Sequence, residues 1–183
     1  MRFGKQSDLE LVKLCNGGSR RDATAAFEAL YRRHRDYVTR VSLRFCSDRE
    51  IAADVLQETF LYLLKKFPPT GEGLILSAQL RSLLYPVAKN LTLSAITRRR
   101  RDESSTDIEP DRLPDPGTVN PQYENLARMT SELSPRHREV ILLRFVDDMR
   151  LNEISEALEI PTGTVKSRLH HALRDLRHRL GSA

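Results

Sequence analysis

The chain is 183 residues long, with 30 lysines and arginines against 25 acids, a net charge of +5 and 39% hydrophobic residues. This predicts a soluble globular protein of one or two domains, long enough for a real core. No window approaches the roughly 18 apolar residues of a membrane span, and the N-terminus, MRFGKQSDLELVKLC, lacks the apolar run of a secretory signal. The two cysteines, Cys15 and Cys46, are far apart. They exclude a disulfide scaffold and a thiolate zinc site, and they suit a reducing cytoplasm.

In chain order, the first predicted element is a short helix over Asp8 to Cys15. Phe27, Leu30, Tyr31, His34, Val38, Val41 and Phe45 then recur at helical spacing. His34 is expected to pack in the core. Ile51, Val55, Leu56, Phe60, Leu63, Leu64 and Phe67 form the face of the next helix, stopped by Pro68-Pro69. The last helix of this half buries Leu80, Leu83, Leu84, Val87, Ala88, Leu91 and Ala95, with Pro86 inside it and expected to kink it.

Residues 102–124 carry one basic and seven acidic groups and four prolines, Pro110, Pro114, Pro116 and Pro121. Such a segment buries too little apolar surface to offset the entropy of ordering. It reads as an extended acidic linker over 102–121, between an N-terminal domain at 1–101 and a C-terminal domain at 122–183. Both domains are predicted all-α.

In the C-terminal half, Ser134-Pro135 is a start signal for a helix carrying Val140, Ile141, Leu142 and Phe145. LNEISEAL follows, then a break at Glu159-Ile160-Pro161 and a long helix from about Thr162 to Arg179. Val165, Leu169, Ala172, Leu173, Leu176 and Leu180 share one arc of that last helix. With that arc inward, Ser167, His171, Arg174 and His178 point outward, flanked by Thr164, Lys166, His170 and Arg177. A helix-turn-helix whose second helix offers hydroxyls and cations, with no acid before Asp175, suits a major groove. Gly163 permits close approach of backbone to a phosphate.

PTGTVKSRLHHALRDLRHRL, preceded by LSPRHREVILLRF and LNEISEALEI, resembles the C-terminal DNA-reading domain of extracytoplasmic-function (ECF) sigma factors. FEALYRRHRDYVTRVSLRF, DVLQETFLYLLKKF and LRSLLYPVAKNLTLSAITRRRR resemble that family's promoter-melting domain, in the same order. The resemblance runs over roughly residues 7–180.

It implies an initiation subunit that binds core bacterial RNA polymerase and promoter DNA, as duplex and as melted strand, and that an anti-sigma factor holds in check. Asp54, Gln57, Glu58 and Leu61 would dock on the polymerase, with Phe60 and Leu64 inward. Lys89, Asn90, Arg98, Arg99, Arg100 and Arg101 would hold the upstream-of-start element. The loop Pro68 to Ala78 sits where the family places a flipped base. Thr162, Gly163, Thr164, Lys166, Ser167, Arg168, His170, His171 and Arg174 would read the distal element. The linker would thread past the polymerase active centre. Three departures stand out: Leu83 where the family often has tryptophan, Pro86 inside the helix, and His170-His171 where many relatives carry arginine or another bulky residue.

An enzyme is the first rival, and no GxSxG, Walker loop, HExxH or Cys/His cluster supports it. No catalytic residue, metal or cofactor is expected. His171 and His178 share a face but lie about 10 Å apart along the axis, too far to ligate one ion, and His34 and His137 read as lone. The second rival is a helix-turn-helix repressor or response regulator, which should show a ligand pocket, a phosphoacceptor aspartate after a strand, or a self-complementary apolar surface.

Overall fold

The computed structural model describes residues 3, 5–77, 79–103, 130 and 132–180, with side chains omitted at 102, 103, 179 and 180. Among them are seven helices and no strand: α1 (Asp8–Gly17), α2 (Arg20–Leu43), α3 (Arg49–Leu64), α4 (Leu80–Glu103), α5 (Pro135–Phe145), α6 (Leu151–Leu158) and α7 (Thr162–Leu180). The chain divides into two compact units, Met1–Ile108 and Glu109–Ala183, so the division falls within the acidic stretch. Helix α4 runs two residues beyond the expected boundary at 101 and continues through Pro86 without interruption. The rest of the expected linker, with its four prolines, lies outside the described residues.

In the first unit, α2 packs against α1, α3 and α4, and α3 packs on α4. Each of the first three helices starts on a side-chain cap. The Ser7 hydroxyl accepts from Glu10 N, Ser19 from Asp22 N, and Asp48 Oδ1 from both Glu50 N and Ile51 N. Between α2 and α3, Phe27 meets Phe60 edge-on at 6.2 Å and Tyr31 meets Phe60 at 4.8 Å, contacts worth about 0.5–1.5 kcal/mol each beyond burial.

His34 is buried, as expected, and it is tied down as well as packed. Its Nε2 lies 2.8 Å from Asp8 Oδ2, while Arg33 donates to Asp8 Oδ1 at 2.7 Å and to the Gln6 carbonyl at 2.7 Å. Between α2 and α4, buried Thr92 Oγ1 lies 2.7 Å from the Ala88 carbonyl and 2.9 Å from Ser42 Oγ. Both cysteines are buried and unpaired with each other, and burial pushes the Cys15 thiol up to about 11, which keeps it unreactive.

Leu64, expected inward, falls outside the core, and Phe145 is exposed as well. Leu64 is 46% exposed. The buried face of α3 includes Ala52 and Thr59 beside Val55, Phe60 and Leu63, so it is centred away from the stripe that a count of large apolar residues gives, and Leu64 lands past its edge, beside Gln57. Phe145 is 57% exposed. It stands five residues from buried Val140, a rotation of about 140°, and Leu143 takes the inward place instead.

The second unit packs α5, α6 and α7 against one another, around Val140, Ile141, Leu143, Met149, Ile154, Val165, Leu169 and Ala172. Ser134 caps α5, its hydroxyl accepting from His137 N at 3.3 Å, with Pro135 as the first helical residue. The turn between α6 and α7 is made by Glu159, whose φ of 52° and ψ of 41° are left-handed. The Ser155 hydroxyl donates to the Ile160 carbonyl at 2.6 Å, locking that turn.

Candidate nucleic-acid interface

Helix α7 opens without an acid in its first turn. Gly163, Lys166, Ser167, His170, Arg174 and Arg177 are exposed, while Thr162, Thr164, Arg168 and His171 are half-buried. The outward stripe is therefore turned relative to the sequence expectation. Leu173, placed in the core by its spacing, is 41% exposed, and His171, placed straight outward, is drawn toward α5. Its ring stacks on His137 at 6.1 Å with a 13° interplanar angle, and His170 meets it edge-on at 5.6 Å. His137 Nδ1 lies 3.8 Å from Asp175 Oδ2. The first turn of α5 thus covers one flank of α7, which an apolar arc drawn on α7 alone does not include. His137 is not lone; it props the reading helix. Even so, the described residues hold no group of three or more His, Cys, Asp or Glu able to bind a metal ion.

In the first unit, Asp54, Gln57, Glu58 and Leu61 all stand exposed on one side of α3, with Leu61 54% exposed. Leu64 joins them. Spacing of four residues brings the polar and apolar members into one strip, and only the burial pattern of the opposite face reveals that Leu64 belongs to it.

On α4, Asn90, Arg98, Arg99 and Arg101 are exposed, and Arg100 is half-buried. Arg98 and Arg101 line an open depression with Leu93, Ser94 and Thr97. The four arginines are not equivalent, because Arg99 pairs with Asp48 Oδ2, the second oxygen of the α3 cap. Lys89 is half-buried with its ammonium 5.7 Å from the centre of the Phe45 ring, a cation–π contact that holds its stem along α2's end.

Two family models match the chain, Sigma-70 region 2 over residues 30–102 and Sigma-70 region 4 over residues 131–178. The chain is 34% identical over 159 residues to the ECF RNA polymerase sigma factor SigL of Mycobacterium tuberculosis, covering 84% of this chain and 88% of that one. The chain belongs to the ECF sigma factors.

A further relative, SigW of Bacillus subtilis, is 26% identical over 170 residues, covering 85% of this chain and 89% of its own. The fold is shared with CnrH, solved in complex with the cytosolic domain of CnrY, at a TM-score of 0.63 and 20% identity, covering 97% of this chain and 99% of that one. It is shared also with RpoE of Bartonella quintana, solved with the anti-sigma factor NepR, at a TM-score of 0.59 and 19% identity, covering 85% and 96%. In this ECF sigma factor, region 2 thus spans α2 to α4 and region 4 spans α5 to α7. Among the described residues no helix is long and apolar enough to cross a membrane.

Proposed function

We propose that this ECF sigma factor docks on core RNA polymerase through the α3 strip of Asp54, Gln57, Glu58 and Leu61, extended by Leu64. Lys89, Asn90, Arg98 and Arg101 of α4 hold the upstream element as its strands separate, with Arg99 bracing α4 against Asp48. Thr164, Lys166, Ser167, His170 and Arg174 of α7 read the distal element as duplex. The work is done by binding energy alone, without covalent chemistry, metal or cofactor, in the cytoplasm. The acidic stretch 102–121 is the tether between an N-terminal domain at 1–101 and a C-terminal domain at 122–183, and its charge suits a basic channel vacated as RNA grows. An anti-sigma factor is the fitting regulator, as RpoE of Bartonella quintana is bound by one.

The carrying observation is the α3 strip, where two leucines stand 54% and 46% exposed beside Asp54, Gln57 and Glu58. Two neighbouring exposed leucines ringed by polar side chains have the form of an interface centre with a polar rim. A self-sufficient repressor has no need of that face.

The test is transcription on sheared bacterial genomic DNA with core RNA polymerase, with and without this protein, mapping every RNA 5′ end. Discrete starts that require the protein and share two spaced upstream motifs are expected. A footprint on duplex DNA by the protein alone, with no new starts, would instead establish a conventional helix-turn-helix regulator.

A further inference from the structure

Asp175 is the one acid in the sequence of α7, and two basic side chains share its carboxylate. Arg174 Nη2 lies 3.7 Å from Oδ1, and His137 Nδ1, reaching across from the first turn of α5, lies 3.8 Å from Oδ2. Both distances are too long for a hydrogen bond, so what each contact contributes depends on charge. Arginine carries its charge at every working pH. An imidazole gains one only in mild acid, with an ordinary midpoint at about pH 6.5.

Two more rings extend the row outward. His171 stacks on His137 at 6.1 Å with the planes 13° apart, and exposed His170 meets His171 edge-on at 5.6 Å. The three rings therefore connect the carboxylate of Asp175 to the exposed stripe of Lys166, Ser167 and Arg174. Charges on adjacent rings repel, so protons on the two end rings, His137 and His170, leave His171 between them as a neutral spacer.

The other titratable groups on this flank are mostly basic. On α7 they are Arg168 and His178, three residues before His171 and seven after it. On α5, Arg136 is exposed, Arg138 donates to the Thr130 and Leu133 carbonyls, and Glu139 lies about 200° round the helix from His137. On α6, Glu153 accepts from Arg150 N at 2.6 Å, and Glu156 and Glu159 stand by the tight turn before α7. Phosphates brought against the cations of α7 favour further positive charge beside them, so duplex and proton support each other's binding.

We infer, resting on the functional reading above, that the distal element is read in a proton-linked way. In mild acid His137 masks the single acid of α7, and His170 adds a cation beside Lys166 and Arg174, so duplex binding through α7 tightens. His137 is the positioning residue, acting through Asp175 and His171, and His170 is the group that meets the duplex. The two protons act with one sign, because each adds positive charge to a surface that faces phosphate. A charged His137 also weakens the hold of Asp175 on Arg174, which shares that carboxylate.

The test titrates holoenzyme against promoter DNA from a start mapped as above, at constant ionic strength, at about pH 8 and about pH 6. Each variant is compared with wild type at the same pH, which cancels any dependence of core polymerase itself. The affinity gap between wild type and His170→Gln is expected to widen about fivefold from the higher pH to the lower, and that for His137→Gln about threefold. His170→Arg, charged throughout, should bind more tightly than wild type at the higher pH and lose that advantage at the lower. Thermal melts at both pH values accompany each variant. His170 is exposed, so the His170→Gln result stands even where His137→Gln impairs folding.

A gap between wild type and His170→Gln of equal size at both pH values would overturn the inference. A folded His137→Gln whose gap is unchanged by pH would overturn the positioning role of His137. Absence of protein-dependent starts with the wild-type chain would remove the functional reading itself, a result distinct from promoter binding whose gaps ignore pH.

Discussion

Arg99 of α4 pairs with Asp48, the residue whose carboxylate caps α3. The backbone N–H groups of Glu50 and Ile51, and then the Arg99 charge, hold that carboxyl below its ordinary value against the opposing effect of burial. One arginine of the run 98–101 is therefore a strut between helices, while Arg98 and Arg101 face outward. Removing a cation that neutralises one phosphate should reduce the slope of log affinity against log salt by roughly 1. Arg98→Ala and Arg101→Ala are expected to flatten that slope for holoenzyme on its promoter. Arg99→Ala is expected to leave the slope in place and to lower the melting temperature slightly, since an exposed pair contributes little. Salt titrations beside thermal melts separate the two.

The same reasoning gives Asp8 a pH signature. Burial works to raise its carboxyl, but the hydrogen bond and charge of His34 and then those of Arg33 outweigh it and hold the group below the usual carboxylate range. A lowered folded-state value means stability that is complete above the unfolded value near 3.8 and lost as pH falls through the folded one. Asp8→Asn should cost about 2 kcal/mol at pH 7, because a neutral amide offers one acceptor oxygen where His34 and Arg33 each hold a separate carboxylate oxygen. The gap between variant and wild type should close in acid. Urea melts at pH 7 and at about pH 3 measure it, and a gap independent of pH would show that packing, not charge, joins α1 to α2.

The all-helical architecture was legible in the sequence because the helices carry apolar stripes and four of them, α1, α2, α3 and α5, also carry a side-chain cap, as Ser134-Pro135 does for α5. The exposed strip of α3 was legible in part: the family resemblance pointed to Asp54, Gln57, Glu58 and Leu61, but Leu64 looked inward because Thr59, a polar residue, takes a buried place that an apolar count leaves empty. The His171 ring was misplaced for a related reason. Spacing along α7 fixes which residues share a face, not which neighbouring helix covers that face, and His137 lies 34 positions earlier in the chain. Asn16 and Leu74, 58 residues apart, carry no joint signal at all, because a side-chain amide pairing with backbone leaves no periodicity to read.

The two adjacent histidines of α7 should separate cleanly. His171→Ala removes the ring stacked on His137 and should cost the second unit about 1 kcal/mol, the scale of a ring contact, with a matching fall in melting temperature. His170 is exposed and its ring contact to His171 lies open to solvent, so His170→Ala should lower the melt less than His171→Ala and relax preference at one or two positions of the distal element, each base contact being worth about 1–3 kcal/mol. Selection of promoter variants from a randomised pool reads the second effect directly.

Glu159 occupies a left-handed conformation at the turn of the helix-turn-helix, which costs a residue with a Cβ roughly 1–2 kcal/mol. Glycine escapes that cost but has more freedom to lose on folding. Glu159→Gly is expected to stabilise the unit by several tenths of a kcal/mol to about 1 kcal/mol, while Glu159→Val, branched at the same site, should destabilise it. Paired thermal melts decide the sign, and promoter selectivity should be unaffected because Glu159 precedes α7.

The last prediction concerns the leucines of α3. Leu61→Asp and Leu64→Asp place charges where both side chains are already about half in water, at 54% and 46% exposure, so the fold should tolerate them. Buried against a partner, each would forfeit about 1.5–3 kcal/mol of apolar contact, and desolvating the new carboxylate would add to the loss. Core-polymerase affinity should therefore fall at least about tenfold for either variant, with the melting temperature unchanged. Asp54→Ala and Gln57→Ala should weaken binding less, since rim polar contacts contribute less than a desolvated centre. Equal affinities across all four variants would place the polymerase on another face of region 2, and the exposed arginines of α4 would then need a different partner to explain how they meet the promoter.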